Sequence, residues 1–332
     1  MKKLIDAGMS RRGWSRIGTY IKCPQLFAYT RRLDIPLIPA GALTRGSMGH
    51  VMQAHLHAIW GAQQGGCWAG DEWIDDPDSL LSPEDAVVAW CDLYGGHEYL
   101  DRLLETYRRY VAKHPEPPGR ILGVEFEIFG VLGWRIKGDE KSWGLWALDP
   151  QSKVPDLHKP HDELVGAHGT TVVPTPLDCP GHKDHGNPVY ISRRIDLAIH
   201  SRGQSWIWDH KHQARVQPGR SIDAYAIDGG FSAFRILGKQ LYPDFGGLIL
   251  NLIQTQDPWK VARPSVPPTP HRDNHMGALL WRAEHDLARL DQEKLNHWEW
   301  PKSMNEVSCY GRYGPCGGLD LCAFGPGAEK LR

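Results

Sequence analysis

The sequence predicts an α/β fold, and three stretches carry that expectation. Between Ile191 and Gln213, two apolar, β-branched runs, ISRRIDLAIH and WIWDHKHQ, flank a short Ser-Arg-Gly-Gln link and read as a β-hairpin. The run ILGVEFEIFGVLG, from Ile121 to Gly133, alternates as a strand does, and FGGLILNLIQT, from Phe245 to Thr255, reads as a buried strand extending the sheet. Segments of helical spacing surround these strands.

In chain order, the first helical signal runs from Trp14 to Leu33, with a possible cap at Ser15. Pro24 interrupts it, so a short helix, a break at Cys23-Pro24 and a second helical stretch are expected. Apolar residues at helical intervals continue from Ala42 to Trp60. Residues 61–83 are rich in Gly, Asp and Trp with little period, and read as a loop. Residues 84–114 give two helices divided at Gly95-Gly96. In the strand from Ile121, Glu125 and Glu127 are expected on one face.

Residues 138–188, dense in Pro, Gly, His and Asp, read as a long insertion. Cys179, His182 and His185 within it offer half a zinc site without an obvious fourth ligand, and the insertion is expected to be unmetallated. After the hairpin come a helix over 220–243 interrupted at Gly229-Gly230, a Pro-rich connector over 258–272 and a charged amphipathic helix over 275–298. The expected organisation is a helical N-terminal region (1–119), a sheet-bearing core (120–260) and a C-terminal helix with a Cys-bearing tail (261–332).

With 332 residues, 41% hydrophobic and 23% charged, the chain has an ordinary globular composition. It has no apolar run of bilayer length, and its opening residues lack a signal-peptide core, so a cytoplasmic protein without membrane contact is expected. A net charge of −1 gives no global attraction for nucleic acid, which leaves local basic patches for any such contact. Of the 14 tryptophans, most are expected in packing and some as surfaces on which bases stack. Seven cysteines, an odd number, argue against a disulfide framework and for metal or cluster ligands plus spares.

The chemistry concentrates at the hairpin. Asp209 and Lys211, two apart on one strand, share a face, and Asp196 can meet them from across the ladder. Two carboxylates so placed can hold a hard divalent cation, with the lysine orienting water or stabilising charge on a phosphate; a solvated Asp/Lys pair is the plainer alternative. His50, His55 and His57 are further candidates by chemistry. Near the end, Cys309, Cys316 and Cys322 lie in a Gly/Pro-rich loop, and with Cys23 they make four thiols able to bind an iron-sulfur cluster or tetrahedral zinc.

Ser15-x-Ile17-x-x-Tyr20-x-x-Cys23-Pro24, Gly46-x-x-x-His50, Asp196, Asp209-x-Lys211 and the terminal cysteines, in that order, resemble the iron-sulfur RecB-like branch of the PD-(D/E)XK nucleases. That branch includes CRISPR-associated exonucleases and many phage proteins. The resemblance implies a central mixed β-sheet flanked by helices, a restriction-endonuclease-like core with its active site at the hairpin. It also implies a metal-dependent DNA exonuclease acting on single strands or ends. His50, Asp196, Asp209 and the backbone carbonyl of His210 would hold Mg²⁺ or Mn²⁺, Lys211 would help activate the attacking water, and Glu125 sometimes joins the site. Cys23, Cys309, Cys316 and Cys322 would bind a 4Fe-4S cluster, with zinc as the alternative on ligand type. Arg193, Arg194 and Arg215, with Arg31 and Arg32, would bind flanking phosphates.

The chain departs from the family in two places. Six residues separate Cys309 from Cys316 where two are usual, and Gly230 and Phe234 stand where the family carries Gln and Tyr. The second departure supports another expectation: a non-cleaving DNA-binding or adaptor subunit that keeps the fold and works with a protein partner in a recombination, replication or CRISPR-related complex.

Overall fold

The computed structural model of the chain describes all residues except 1, 6, 8, 9, 11, 36–40, 153–155, 157–158, 160, 176–187, 294–295, 304–308, 312–313, 317, 319–320 and 323–332. The sheet strands are β1 Cys67–Ala69, β2 Glu72–Ile74, β3 Arg120–Lys137, β4 Glu140–Ala147, β5 Leu164–Val165, β6 Thr171–Pro174, β7 Tyr190–Ser201, β8 Gln204–Gln213, β9 Phe245–Gln254, β10 Val261–Ala262 and β11 Ser265–Val266. The helices are α1 Trp14–Lys22, α2 Pro24–Arg31, α3 Gly41–Gln63, α4 Pro83–Tyr94, α5 Leu100–Lys113, α6 Pro218–Ala226, α7 Gly229–Leu241 and α8 Pro270–Gln292.

Together the strands make one mixed open sheet of order β10-β9-β8-β7-β3-β1-β2, with β4 and β6 on β3, β5 on β6 and β11 on β9. Its parallel pairs are β8/β9 and β1/β3. Helices cover both faces. On one, α1, α2, α7 and α8 bury Ile17, Phe27, Phe234 and Leu280 against Ile128, Ile207 and Leu250. On the other, α3 lays Ala54 and Ala58 against Val124, Leu197 and Trp208. Farther along α3, Met48 and Met52 pack against residues of α4 and α5. Among the described residues, no helix is long and apolar enough to cross a membrane.

Local chemistry explains the element boundaries. The β7/β8 hairpin turns at Arg202 and Gly203, both left-handed (φ 53° and 75°), as a two-residue turn matched to strand twist requires. Cys23 is extended and Pro24 opens α2, giving the expected break. Ser82 caps α4 through Asp85 N. At Gly229-Gly230 the break lies just upstream: Asp228 caps α7 by accepting from Gly230 N (2.8 Å) and Phe231 N (3.2 Å), and the glycines are the helix's first residues. A Cβ on Gly229 would come within 2.2 Å of the Trp14 ring.

Three stretches read as loops contain strands. Residues 61–83 include the β1/β2 hairpin, residues 138–188 include β4, β5 and β6, and the Pro-rich connector contributes β10 and β11. The last helix starts at Pro270 and ends at Gln292, earlier at both ends than its apolar pattern indicates. Cys179, His182 and His185 lie outside the described residues.

The C-terminal segment returns to the N-terminal helices. Glu284 and Asp291 of α8 pair with Arg16 and Arg32. Gln25 N donates to Pro301 O (3.0 Å), its side chain donates to His297 O (2.7 Å), and Phe27 stacks on Trp300 at 6.2 Å. Arg235, 2% exposed, is held by Asp273 of α8 along with Ser232 and Thr269.

Candidate metal centre

The site forms where the hairpin divides. The β7/β8 ladder runs from Ser201/Gln204 to Leu197/Trp208 and stops; beyond it β7 follows β3 as far as Tyr190, and β8 follows β9 as far as Gln213. At the fork His210 N donates to Asp196 Oδ2 at 2.6 Å, so a carboxylate takes a backbone donor that has no cross-strand carbonyl. The alternation of β8 then sorts its side chains. Asp209 and Lys211 form an ion pair (2.5 Å) with Lys211 over Tyr225 of α6, while His210 and His212 turn to α3.

His50 projects from α3 into the fork. Its Nδ1 lies 3.3 Å from Asp196 Oδ2 and 3.8 Å from Glu125 Oε1. Among the described residues, His50, Glu125 and Asp196 are the group of metal-capable side chains whose ligand atoms all lie within 4.8 Å of one another. Asp209, expected as a ligand, is near enough to act on Asp196 electrostatically, but its carboxylate is committed to Lys211 and it stands outside that group. Glu125, named only as an occasional member, is inside it. The ring of His210 stacks on His57 (5.0 Å, 7°) and its Nδ1 is 2.9 Å from Asn251 Nδ2, so among its contacts its backbone N–H is the one that reaches Asp196.

Glu125 reaches the fork by breaking its strand's alternation. It takes a left-handed φ of 48°, a conformation that costs a non-glycine residue about 1 kcal/mol or more. On either side of it Val124 packs on the α3 face and Phe126 on the opposite one, so the simple two-residue repeat expected for Glu125 and Glu127 fails here. Glu127 stands opposite Arg194, whose Nη1 donates to Glu125 O at 3.4 Å.

The electrostatics are those of a buried acidic site. Burial opposes charge on His50, but the Asp196 and Glu125 carboxylates outweigh it and raise the imidazole to about 9. Burial lifts Glu125 to about 7 against the pull of His50, and burial also raises Asp196. On Lys211 burial is outweighed by Asp209, and the ammonium is held above its ordinary value. Burial drives His57 and His212 down to about 3, and His210 well down. The glycine of the Gly46-x-x-x-His50 pattern has open space where a Cβ would stand; the sterically required glycine is Gly49, where a Cβ would meet the His212 ring at 2.4 Å.

The basic candidates separate. Arg193 lies over the Phe234 ring at 4.2 Å beside the site. Arg194 leans on the Glu125 carbonyl, Arg215 and Arg31 are exposed, and Arg32 is paired with Asp291. A layer that sequence reasoning missed lies behind His210: Asn251 bonds to Tyr110 Oη (3.2 Å), which also accepts from Arg263 (2.9 Å), and Arg263 covers Trp208. These residues come from β9, α5 and the edge beyond β10, and no local pattern links them.

The terminal cysteines carry free thiols. Cys316 N donates to Cys309 O at 2.6 Å. Burial first, and then the thiols of Cys322, Cys23 and Cys316, raise the Tyr29 phenol, which places those three around one ring. Among the described residues no three of these sulfurs lie within 4.8 Å of one another, whereas tetrahedral zinc needs about 3.8 Å between sulfurs. Cys67 and Cys91 are core residues, spare to any site. Comparisons of the chain with protein-family models, curated proteins and solved structures return no match, and the residues at the fork are what bears on its function.

Proposed function

We propose that this chain is a metal-dependent deoxyribonuclease with a restriction-endonuclease-like core, acting as an exonuclease on single-stranded DNA or DNA ends. The observation that carries the reading is the convergence of His50, Glu125 and Asp196, from one helix and two strands, beside the Asp209–Lys211 pair. Hard oxygen donors and one imidazole suit Mg²⁺ or Mn²⁺, and Glu125 Oε1 is buried without a hydrogen bond, 3.8 Å from the His50 imidazole. His50, Glu125 and Asp196 would hold the ion, with Asp209 adding negative charge. Bound there, a divalent cation supplies Lewis-acid polarisation of a phosphodiester oxygen.

The chain's own groups have separate tasks. Asp196, fixed by the His210 N–H, keeps its carboxylate turned to His50. Lys211, kept an ammonium by Asp209, cannot serve as a base near neutral pH; it donates hydrogen bonds that orient the attacking water and stabilise charge on the phosphate. Water attacks phosphorus and gives up a proton to solvent, the new P–O bond replaces the P–O bond to the leaving sugar oxygen, and that oxygen takes a proton from solvent. At the chain ends, the free thiols of Cys23, Cys309, Cys316 and Cys322 would hold a 4Fe-4S cluster, with tetrahedral zinc as the alternative on ligand type.

The test is cleavage of end-labelled single- and double-stranded DNA with Mn²⁺ or Mg²⁺. Wild type is expected to cut, and Lys211→Ala and Asp196→Asn to lose about a thousandfold or more in rate. No cutting by wild type with either ion refutes the reading and leaves a DNA-binding adaptor that retains the fold, the alternative that Gly230 and Phe234 favour.

A further inference from the structure

Arg193 occupies a slot that this chain opens on α7. Its guanidinium lies 4.2 Å from the centre of the Phe234 ring, a cation–π distance, and a Cβ on Gly230 would come within 3.0 Å of its Nη2 and 3.1 Å of its Cζ. The glycine leaves the room and the phenyl supplies the floor.

The arginine is not consumed by structure. Other arginines of this protein are clamped by acids: the buried Arg235 by Asp273, and the half-buried Arg16 by Glu284. Arg193 is influenced by Asp209, Asp228 and Asp196, yet none of the described acids closes an ion pair with it, and its Nε is buried without a hydrogen-bond partner. A guanidinium held over an aromatic face by a cation–π contact keeps N–H donors for forked bonding to a tetrahedral oxyanion. Asp209 and Asp196 of the hairpin lie close enough to act on it electrostatically.

We propose that Arg193 is a phosphate-binding residue of the site, gripping a DNA backbone phosphate next to the metal ligands. The identity of the anion rests on the nuclease reading; the free, ring-supported guanidinium does not.

The test reads binding apart from cutting. Fluorescence anisotropy of a short single-stranded oligonucleotide, in EDTA and across a salt series, compares wild type with Arg193→Gln, Arg193→Lys and the α8 surface control Arg282→Gln. Losing one phosphate contact makes the log–log salt slope shallower by about 0.7 and weakens binding about tenfold. Arg193→Gln is expected to show both effects. Arg193→Lys should keep the slope and lose only part of the affinity, and Arg282→Gln should match wild type. Circular dichroism melts check that the variants fold, and Arg193→Lys carries the comparison if Arg193→Gln does not.

An unchanged slope in Arg193→Gln, or full wild-type affinity in Arg193→Lys, overturns the proposal. If wild type cuts DNA while the slope is unchanged, the assignment of Arg193 fails and the nuclease reading stands. If wild type binds with the predicted slope difference but never cuts, the reading of cleavage fails and the phosphate site stands. No binding by wild type overturns both.

Discussion

His57 makes this protein acid-labile by a calculable amount. It lies seven residues after His50, two turns along α3, and so faces the same side of the sheet, where it is fully buried against His210. Burial, opposed by the Gln53 carbonyl and reinforced by Arg263, holds it at about 3 against 6.5 for a free imidazole. The unfolded chain binds its proton as pH falls through 6.5, while the folded chain does not until about 3, so the stability present above 6.5 drains away between those values. Each pH unit inside that window removes about 1.4 kcal/mol, and between about pH 7 and about pH 5.5 this one side chain removes about 1.2 kcal/mol. Urea unfolding followed by tryptophan fluorescence at the two pH values measures the loss. In His57→Leu the loss should be smaller than wild type's by about 1.2 kcal/mol, since the other titrations cancel in the comparison. If the variant loses as much stability on acidification as wild type, the imidazole is not neutral in the fold and the packing argument is wrong.

Other perturbations probe the fork and its supports. Glu125→Gly removes a buried carboxylate from a left-handed position and should stabilise the metal-free protein by about 1 kcal/mol while abolishing the rise in melting temperature expected of wild type with Mn²⁺; a variant that responds to Mn²⁺ as wild type does removes Glu125 from the ligand set. Asp196→Ala leaves His210 N–H unpaired and should cost about 1–3 kcal/mol, whereas Asp196→Asn, which can still accept from it, should cost clearly less; equal costs in denaturant titrations count against the structural role. Asp273→Ala strands the buried Arg235 and should lower stability by about 3–5 kcal/mol, read from the same titrations, with a loss below about 1 kcal/mol excluding that latch. Protein purified without oxygen should be brown with acid-labile sulfide, and Cys23→Ser should lose the colour; a colourless wild type containing zinc reverses the cluster assignment.

What could be read in the sequence tracks how local its cause is. The β7/β8 hairpin, the break at Cys23-Pro24 and the division at Gly95-Gly96 each follow from residues within a few positions, and each is present. The strands β1, β2, β5, β10 and β11 have only two or three residues each, too few for a period to emerge, and they are defined by their pairing: β1 on the distant β3, β2 on β1, β5 on β6, and β10 and β11 on β9. In β4, a run of exposed residues from Glu140 to Trp143 hid a strand that pairs along β3 from Lys137 to Gly130. The same rule sorts the site. Asp209 and Lys211 share a face through a spacing of two, which any strand enforces. Glu125 enters through a local reversal of the alternation, and the Arg193 slot through an absent side chain on another element; neither leaves a mark on its own stretch of sequence.

The fork itself explains why these residues meet where they do. A hairpin whose strands part company leaves backbone donors without partners, and a buried unpaired N–H is costly, so a short acceptor side chain at that level satisfies a structural need before it has any function. Asp196 is that acceptor, and its Oδ2 is also the oxygen 3.3 Å from His50. The folded backbone therefore fixes a carboxylate in a desolvated place, and the second acid, Glu125, adds a charge that burial cannot tolerate alone. A compensating positive charge is then required, and the imidazolium of His50, raised to about 9, provides it. A divalent cation would meet the same need more fully while displacing that proton, so the charge imbalance of the fork is also what would draw a metal to it.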